Sequence, residues 1–184
     1  MKKIIIIRGP AGSGKTTTAK ALHERTSETT AFLPFDFFRI DVAKNQKSAA
    51  DISTEIIEFA TKKFLDSGYI VILESIFNVD KPLSKRLFDS FKDNSDTKLF
   101  HIYLGISLDK AKERNRQRSK GKVITDEEIE EWYPLSRPLQ KEENQLILNM
   151  DTLNDKEVFD KAISFTGLHI DDNSLKAKYF SWRI

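Results

Sequence analysis

The chain has 184 residues, 30 of them Lys or Arg and 28 Asp or Glu, for a formal net charge of +2, and it has no cysteine. That length suits one domain over residues 1–184 with an ample core. The near-balanced charge argues against a bulk nucleic-acid binder, which needs a concentrated basic surface, and the missing thiols exclude disulfides, thiolate metal sites and a cysteine nucleophile. No signal-peptide pattern precedes the first strand and no apolar run approaches the length of a membrane span, so a cytoplasmic location is expected.

Strand and helix patterns alternate along the chain, the signature of an α/β fold with a parallel sheet. Ile4–Ile7 is an unbroken β-branched run, as in a central strand covered on both faces. A helix follows from Lys15 through Leu22. Ala31–Asp36 reads as a short strand closing on an acid. Ile52–Leu65 has apolar residues at 52, 56, 57, 59, 60 and 64, which is helical spacing, and Gly68 stops it. Tyr69–Glu74 is a second apolar strand closing on an acid. Asp80 and Pro82 open a helix through about Phe91, Leu99–Ile106 reads as a strand, and Ser107 caps the arginine-rich helix after it. Thr125–Glu128 has capping-box form. Gln145–Met150 is the last strand, Asn154–Glu157 begins the last clear helix, and Tyr179, Phe180 and Trp182 mark a tail, residues 168–184, expected to pack on something.

Between the first strand and its helix stands Gly9-Pro10-Ala11-Gly12-Ser13-Gly14-Lys15-Thr16, the pattern GxxxxGK[ST]. Its glycines let the backbone curl with N–H groups turned inward, and the helix start adds a positive dipole end at the same spot. Lys15 is placed to reach the β and γ phosphates of a nucleoside triphosphate, and Thr16 to ligate Mg²⁺. Gly9 through Thr17 are therefore the expected nucleotide-binding residues, with ATP and Mg²⁺ as the ligands.

Ligands of such sheets lie beyond the carboxyl ends of the strands, where two acids also fall. Asp36, set among Phe35, Phe37 and Phe38, suits a general base that takes a proton from an acceptor hydroxyl; its alternative is a solvated turn cap. Arg39, one helical turn on, suits a clamp on the acceptor or a partner for a surface acid. Glu74 stands where an acid contacts Mg²⁺ through water. Arg114, Arg116 and Arg118 precede Lys120, Gly121 and Lys122 in the strongest charge feature of the chain. Arg114 and Arg118 share one helical face, so a cationic lid over about 114–135 is expected to close on the phosphates and supply a catalytic arginine. His23, His101 and His169 form no metal spacing.

Together these residues resemble the small P-loop kinases, nearest to the group of polynucleotide 5′-hydroxyl kinases, zeta-toxin kinases and chloramphenicol phosphotransferase. Asp36-Phe37-Phe38-Arg39 is similar to the Asp-x-x-Arg of polynucleotide kinases, residues 113–118 to the arginine-bearing lid, and Asn149–Leu153, with Thr152, to the loop that flanks adenine. The resemblance implies a P-loop NTPase fold with a five-stranded parallel sheet in the order 2-3-1-4-5. It also implies transfer of the γ-phosphate of ATP to a hydroxyl. A small-molecule acceptor is favoured over a polynucleotide 5′ end by the balanced charge, although Trp132 and Tyr133 stand where they could stack on a base. A hydrolysing switch finds little support, since no Asn-Lys-x-Asp guanine motif occurs.

Overall fold

The structure, a computed structural model, describes residues 1–75, 82–92, 96–118, 124–140 and 144–171. Its strands are β1 (Lys2–Arg8), β2 (Thr30–Pro34), β3 (Ile70–Glu74), β4 (Thr97–Gly105) and β5 (Gln145–Asn149). The helices are α1 (Lys15–Arg25), α2 (Ala49–Asp66), α3 (Pro82–Lys92), α4 (Leu108–Arg116), α5 (Asp126–Trp132) and α6 (Asp155–Thr166). All strand pairs are parallel, in the order β2-β3-β1-β4-β5.

β1 is central because it is the strand with nothing to offer water. Ile4, Ile5, Ile6 and Ile7 are wholly buried, each contributing about 1.5–3 kcal/mol of apolar transfer. Strand alternation sorts them. Ile5 and Ile7 join Ala19 and Leu22 of α1 and Val158 and Phe159 of α6, while Ile4 and Ile6 meet Ile57 of α2 and Leu87, Phe88 and Phe91 of α3. In register, Ile7 lies beside Glu74 and Ile102, and Gly105 beside Asn149, so the strand ends that carry the chemistry share one rim.

Some elements differ from the sequence reading. β2 stops at Pro34, an edge-strand residue with no N–H to give, and the chain is already helical at Phe35 and Asp36. A π-helical turn, Phe37–Val42, follows, its wide loop closed by Ala43 N donating to Phe38 O at 3.0 Å. Ser107 precedes α4 but caps nothing: its hydroxyl and its N–H both go to the Asp151 carboxylate, each at 3.1 Å. The capping boxes at Thr125/Glu128 and Asn154/Glu157 form as read. Asp80, Lys120–Val123 and the aromatic tail from residue 172 lie outside the described residues. No described helix is long and apolar enough to cross a membrane.

Candidate active site

The loop from Gly9 to Gly14 leaves β1 and feeds α1 with no room for side chains on its inner curve. At Gly9, φ +152°, a Cβ would stand 2.4 Å from Leu104 O; at Gly12, φ +78°, it would stand 2.7 Å from Ala111 O. The loop is thus seated against β4 and α4, and only glycine reconciles that approach with those torsions. Lys15 opens α1 and folds back, donating from Nζ to Pro10 O at 2.9 Å. Thr16 and Thr17 are exposed, whereas Ser13 Oγ is buried with no hydrogen-bond partner among the described residues. An inward-turned hydroxyl, a buried ammonium and open threonines at a helix N-terminus form a cradle fitted to a phosphate chain.

Around Lys15 the charges converge from separate elements. Burial pulls its ammonium below the usual lysine range; the charges of Glu74 and Asp36 pull it back, and Arg118 lowers it further. Glu74, only 4 % exposed at the end of β3, is pushed above the usual carboxylate range by burial. Lys15 opposes that rise, Asp36 adds to it, and the Thr16 hydroxyl and Arg118 oppose it in smaller measure. Lys15, Thr16, Asp36, Glu74 and Arg118 are therefore one electrostatic cluster. Asp36 is its accessible acid, 39 % exposed at the side chain, and Arg39 Nη2 donates to it at 3.3 Å while Nη1 donates to Asn45 Oδ1 at 3.1 Å.

The three arginines take different places. Arg114 donates to Met150 O at 3.1 Å and ties α4 to the end of β5. Arg116 pairs with Asp126 at the start of α5. Arg118, past the helix end and exposed, is the one whose charge acts on Lys15 and Glu74. The expectation that Arg114 and Arg118 act on one helical face fails locally, because α4 ends at Arg116. Thr152 lies in the turn after β5, its N–H and hydroxyl both donating to Asn149 O at 3.3 Å. Tyr133 donates to Ile106 O at 2.6 Å, so its hydroxyl is committed to the frame.

Two residues of the frame escaped the sequence reading. Arg8, fully buried at the end of β1, donates to Arg137 O at 3.3 Å and stands 5.8 Å from the Tyr103 ring centre. Tyr103 in turn donates to Ser136 O at 2.6 Å, so the irregular segment after α5 is held to the sheet beside the phosphate loop. The signal was present: a cation closing a run of four isoleucines. Asn115, also wholly buried, donates to Ile124 O at 2.7 Å and accepts from Ile124 N at 3.3 Å, joining the end of α4 to the residue before the Thr125 cap of α5. Nothing in the sequence singles it out.

Fold and site together define a P-loop protein of the kinase type: a parallel 2-3-1-4-5 sheet with a phosphate loop on its carboxyl rim. A family model described as an AAA domain matches residues 4–133, and the chain belongs to that family of P-loop kinases. Among curated proteins it is similar to an adenylate kinase of Nautilia profundicola, 29 % identical over 143 residues, covering 66 % of this chain and 70 % of the relative. Among solved structures it is similar to a sugar kinase of Janibacter (TM-score 0.71, 14 % identity, 91 % of this chain and 96 % of the other). The tunicamycin resistance protein of Deinococcus radiodurans is comparable (TM-score 0.64, 20 % identity, 93 % of this chain and 100 % of the other).

Proposed function

We propose that this protein is an ATP- and Mg²⁺-dependent phosphotransferase acting on a hydroxyl of a small molecule. The observation that carries the reading is that Glu74, Asp36 and Arg118, from β3, the β2 exit and the α4 exit, all act electrostatically on Lys15 of the phosphate loop. A protein that only held nucleotide would need Lys15 and the loop, not an open acid beside them.

The backbone N–H groups of Ala11–Thr17 and Lys15 Nζ bind the phosphate tail, with Gly9 and Pro10 shaping the loop, and Thr152 stands in the loop expected beside the adenine. Thr16 and Glu74 supply the hard oxygens that suit Mg²⁺, which characteristically takes one or two protein oxygens and completes its shell with phosphate and water. When bound, the nucleotide supplies the phosphoryl group and the metal spreads its charge. Asp36 orients the acceptor hydroxyl and takes its proton as the new O–P bond forms and the bond from the γ phosphorus to its bridging oxygen breaks, the electron pair leaving with ADP. Arg118 neutralises charge on the phosphoryl oxygens, and Arg39 holds the Asp36 carboxylate in place. Burial divides the two acids: Glu74 is closed off beneath the loop, while Asp36 is open to an incoming hydroxyl.

Asp36→Asn tests the reading. Asn keeps the shape but takes no proton at neutral pH, so acceptor-dependent ADP release falls by roughly 10²–10⁴-fold with nucleotide affinity near normal. A merely capping Asp36 would tolerate Asn, since the two cap about equally. Near-wild-type transfer by that variant removes Asp36 as the base.

A further inference from the structure

We infer that Asn45 is a positioning residue for the reaction, its side-chain oxygen holding the Arg39 guanidinium against Asp36. This rests on the phosphotransferase reading and names what keeps the partner of the proposed base in place.

Asp36 opens the π-helical turn, and Arg39 lies within it. The contact between them is 3.3 Å long, with the Arg39 side chain 31 % exposed and that of Asp36 39 %. Charge-assisted bonds that fix geometry are shorter, about 2.7–2.9 Å. An exposed ion pair of this kind contributes less than the rotamer freedom an arginine gives up to make it. Asp36 by itself therefore does not hold Arg39.

The second hold comes from the segment after the turn. Ala43 N donates to Phe38 O at 3.0 Å, Gln46 N donates to Ala43 O at 3.2 Å, and between them the chain reverses. The reversal sets Lys44 at φ +50° and Asn45 at φ +51°, the only non-glycine residues at positive φ among the described residues. Two such residues in succession are strained, asparagine less than most. The strained reversal brings residue 45 back onto residue 39 at two points. Asn45 N donates to Arg39 O at 2.8 Å, and Arg39 Nη1 donates to Asn45 Oδ1 at 3.1 Å while Nη2 stays on Asp36. The guanidinium is thus fixed at both terminal nitrogens. Arginine has no acceptor, so only the oxygen of the amide can face it. Because that amide is neutral, the arginine's charge remains undivided for Asp36; a carboxylate at position 45 would compete for it.

Asn45→Gly tests the inference, since it removes the oxygen and keeps the backbone: glycine adopts φ near +50° without strain. NMR relaxation of the Arg39 Nε–H reads the hold directly. The expected order parameter is that of a rigid group in the wild type and below about 0.6 in the variant. The second readout is ADP release at saturating MgATP, with water alone and with glycerol as the acceptor. In each case the acceptor oxygen bonds the γ phosphorus, its proton passes to Asp36, and ADP leaves with the electron pair. Asn45→Gly is expected to slow this about three- to tenfold, with MgADP affinity and Tm near those of the wild type. Added to Arg39→Met, it slows transfer no further. An Arg39 that stays rigid in Asn45→Gly, an unchanged rate, or an equal loss of rate in the Arg39→Met background overturns the inference. Where neither acceptor is used, the motion of Arg39 alone decides. The phosphotransferase reading fails separately, through wild-type ADP release by Asp36→Asn or through a wild-type protein that binds no MgATP.

Discussion

Lys15 and Glu74 show how two buried ionisable groups make each other possible. Burial pushes each toward its neutral form, and the charge of each opposes that shift in the other, Lys15 at the start of α1 and Glu74 at the end of β3. Removing one leaves the other exposed to the full desolvation penalty. Lys15→Ala is therefore expected to abolish transfer and to weaken triphosphate binding far more than nucleoside binding. The thermal shift caused by MgATP reads this directly. At a nucleotide concentration of 100 Kd a single site adds about 2.7 kcal/mol, about 5–10 °C for a chain of this size. The variant loses that shift at the same concentration; a wild-type shift in Lys15→Ala would remove the lysine from the phosphate site.

At the scale of elements, α4 and α5 are laced together where the end of one meets the start of the other. Lys112 pairs with Glu130, Arg116 with Asp126, and Asn115 bonds both polar groups of Ile124. The exposed ion pairs contribute little. The buried Asn115 bonds matter more, because losing them strands two backbone groups at about 1–3 kcal/mol. Asn115→Ala is accordingly expected to lower Tm by about 2–4 °C per kcal/mol lost and to slow transfer about tenfold by releasing Arg118. A cycle with Arg118→Ala separates fold from function. If Asn115 acts by positioning that arginine, adding Asn115→Ala to Arg118→Ala lowers Tm but slows transfer no further. An equal loss of rate in both backgrounds would make Asn115 purely structural.

At the scale of the whole molecule, the chain after α6 returns to the bottom of α1. Ile170 bridges Thr26 antiparallel, Ser27 N donates to His169 O at 3.0 Å, and Asp171 N donates to Arg25 O at 2.9 Å. Glu28 locks the return, accepting from the His169 backbone N–H at 3.1 Å and lying 2.8 Å from its ring Nδ1. Burial by itself pushes the Glu28 carboxyl up, but the bonds from the His169 ring and backbone outweigh it and hold the group below its ordinary 4.5. A carboxyl depressed by folding stabilises above its unfolded pKa and loses that contribution as pH falls through its folded value. Glu28→Gln should therefore lower Tm by a few degrees at pH 7 and by progressively less as pH falls through the carboxyl's folded value. A deficit that stays the same at every pH would trace the effect to packing instead of charge.

The sequence alone determined whatever depends on near neighbours along the chain. A phosphate loop is a continuous strand, turn and helix start, so Ile4–Thr16 declares itself, as do the capping boxes at Thr125 and Asn154. Asp36 and Glu74 were recognisable as rim acids because each closes an apolar run. Only the tertiary structure could decide what depends on partners distant in sequence. The strand order follows from parallel pairing across long connections, which local pattern does not encode; it was available only through family likeness. The choice of Arg118 over Arg114 and Arg116 required knowing that α4 ends early and that Met150 and Asp126 engage the other two. Helical spacing in α2 was correctly read, yet the apolar residues divide: Ile57 faces the core while Ile52, Ile56 and Phe59 face solvent. Periodicity reports that a helix has an apolar side, but the sheet it packs on decides which residues are buried and which face solvent.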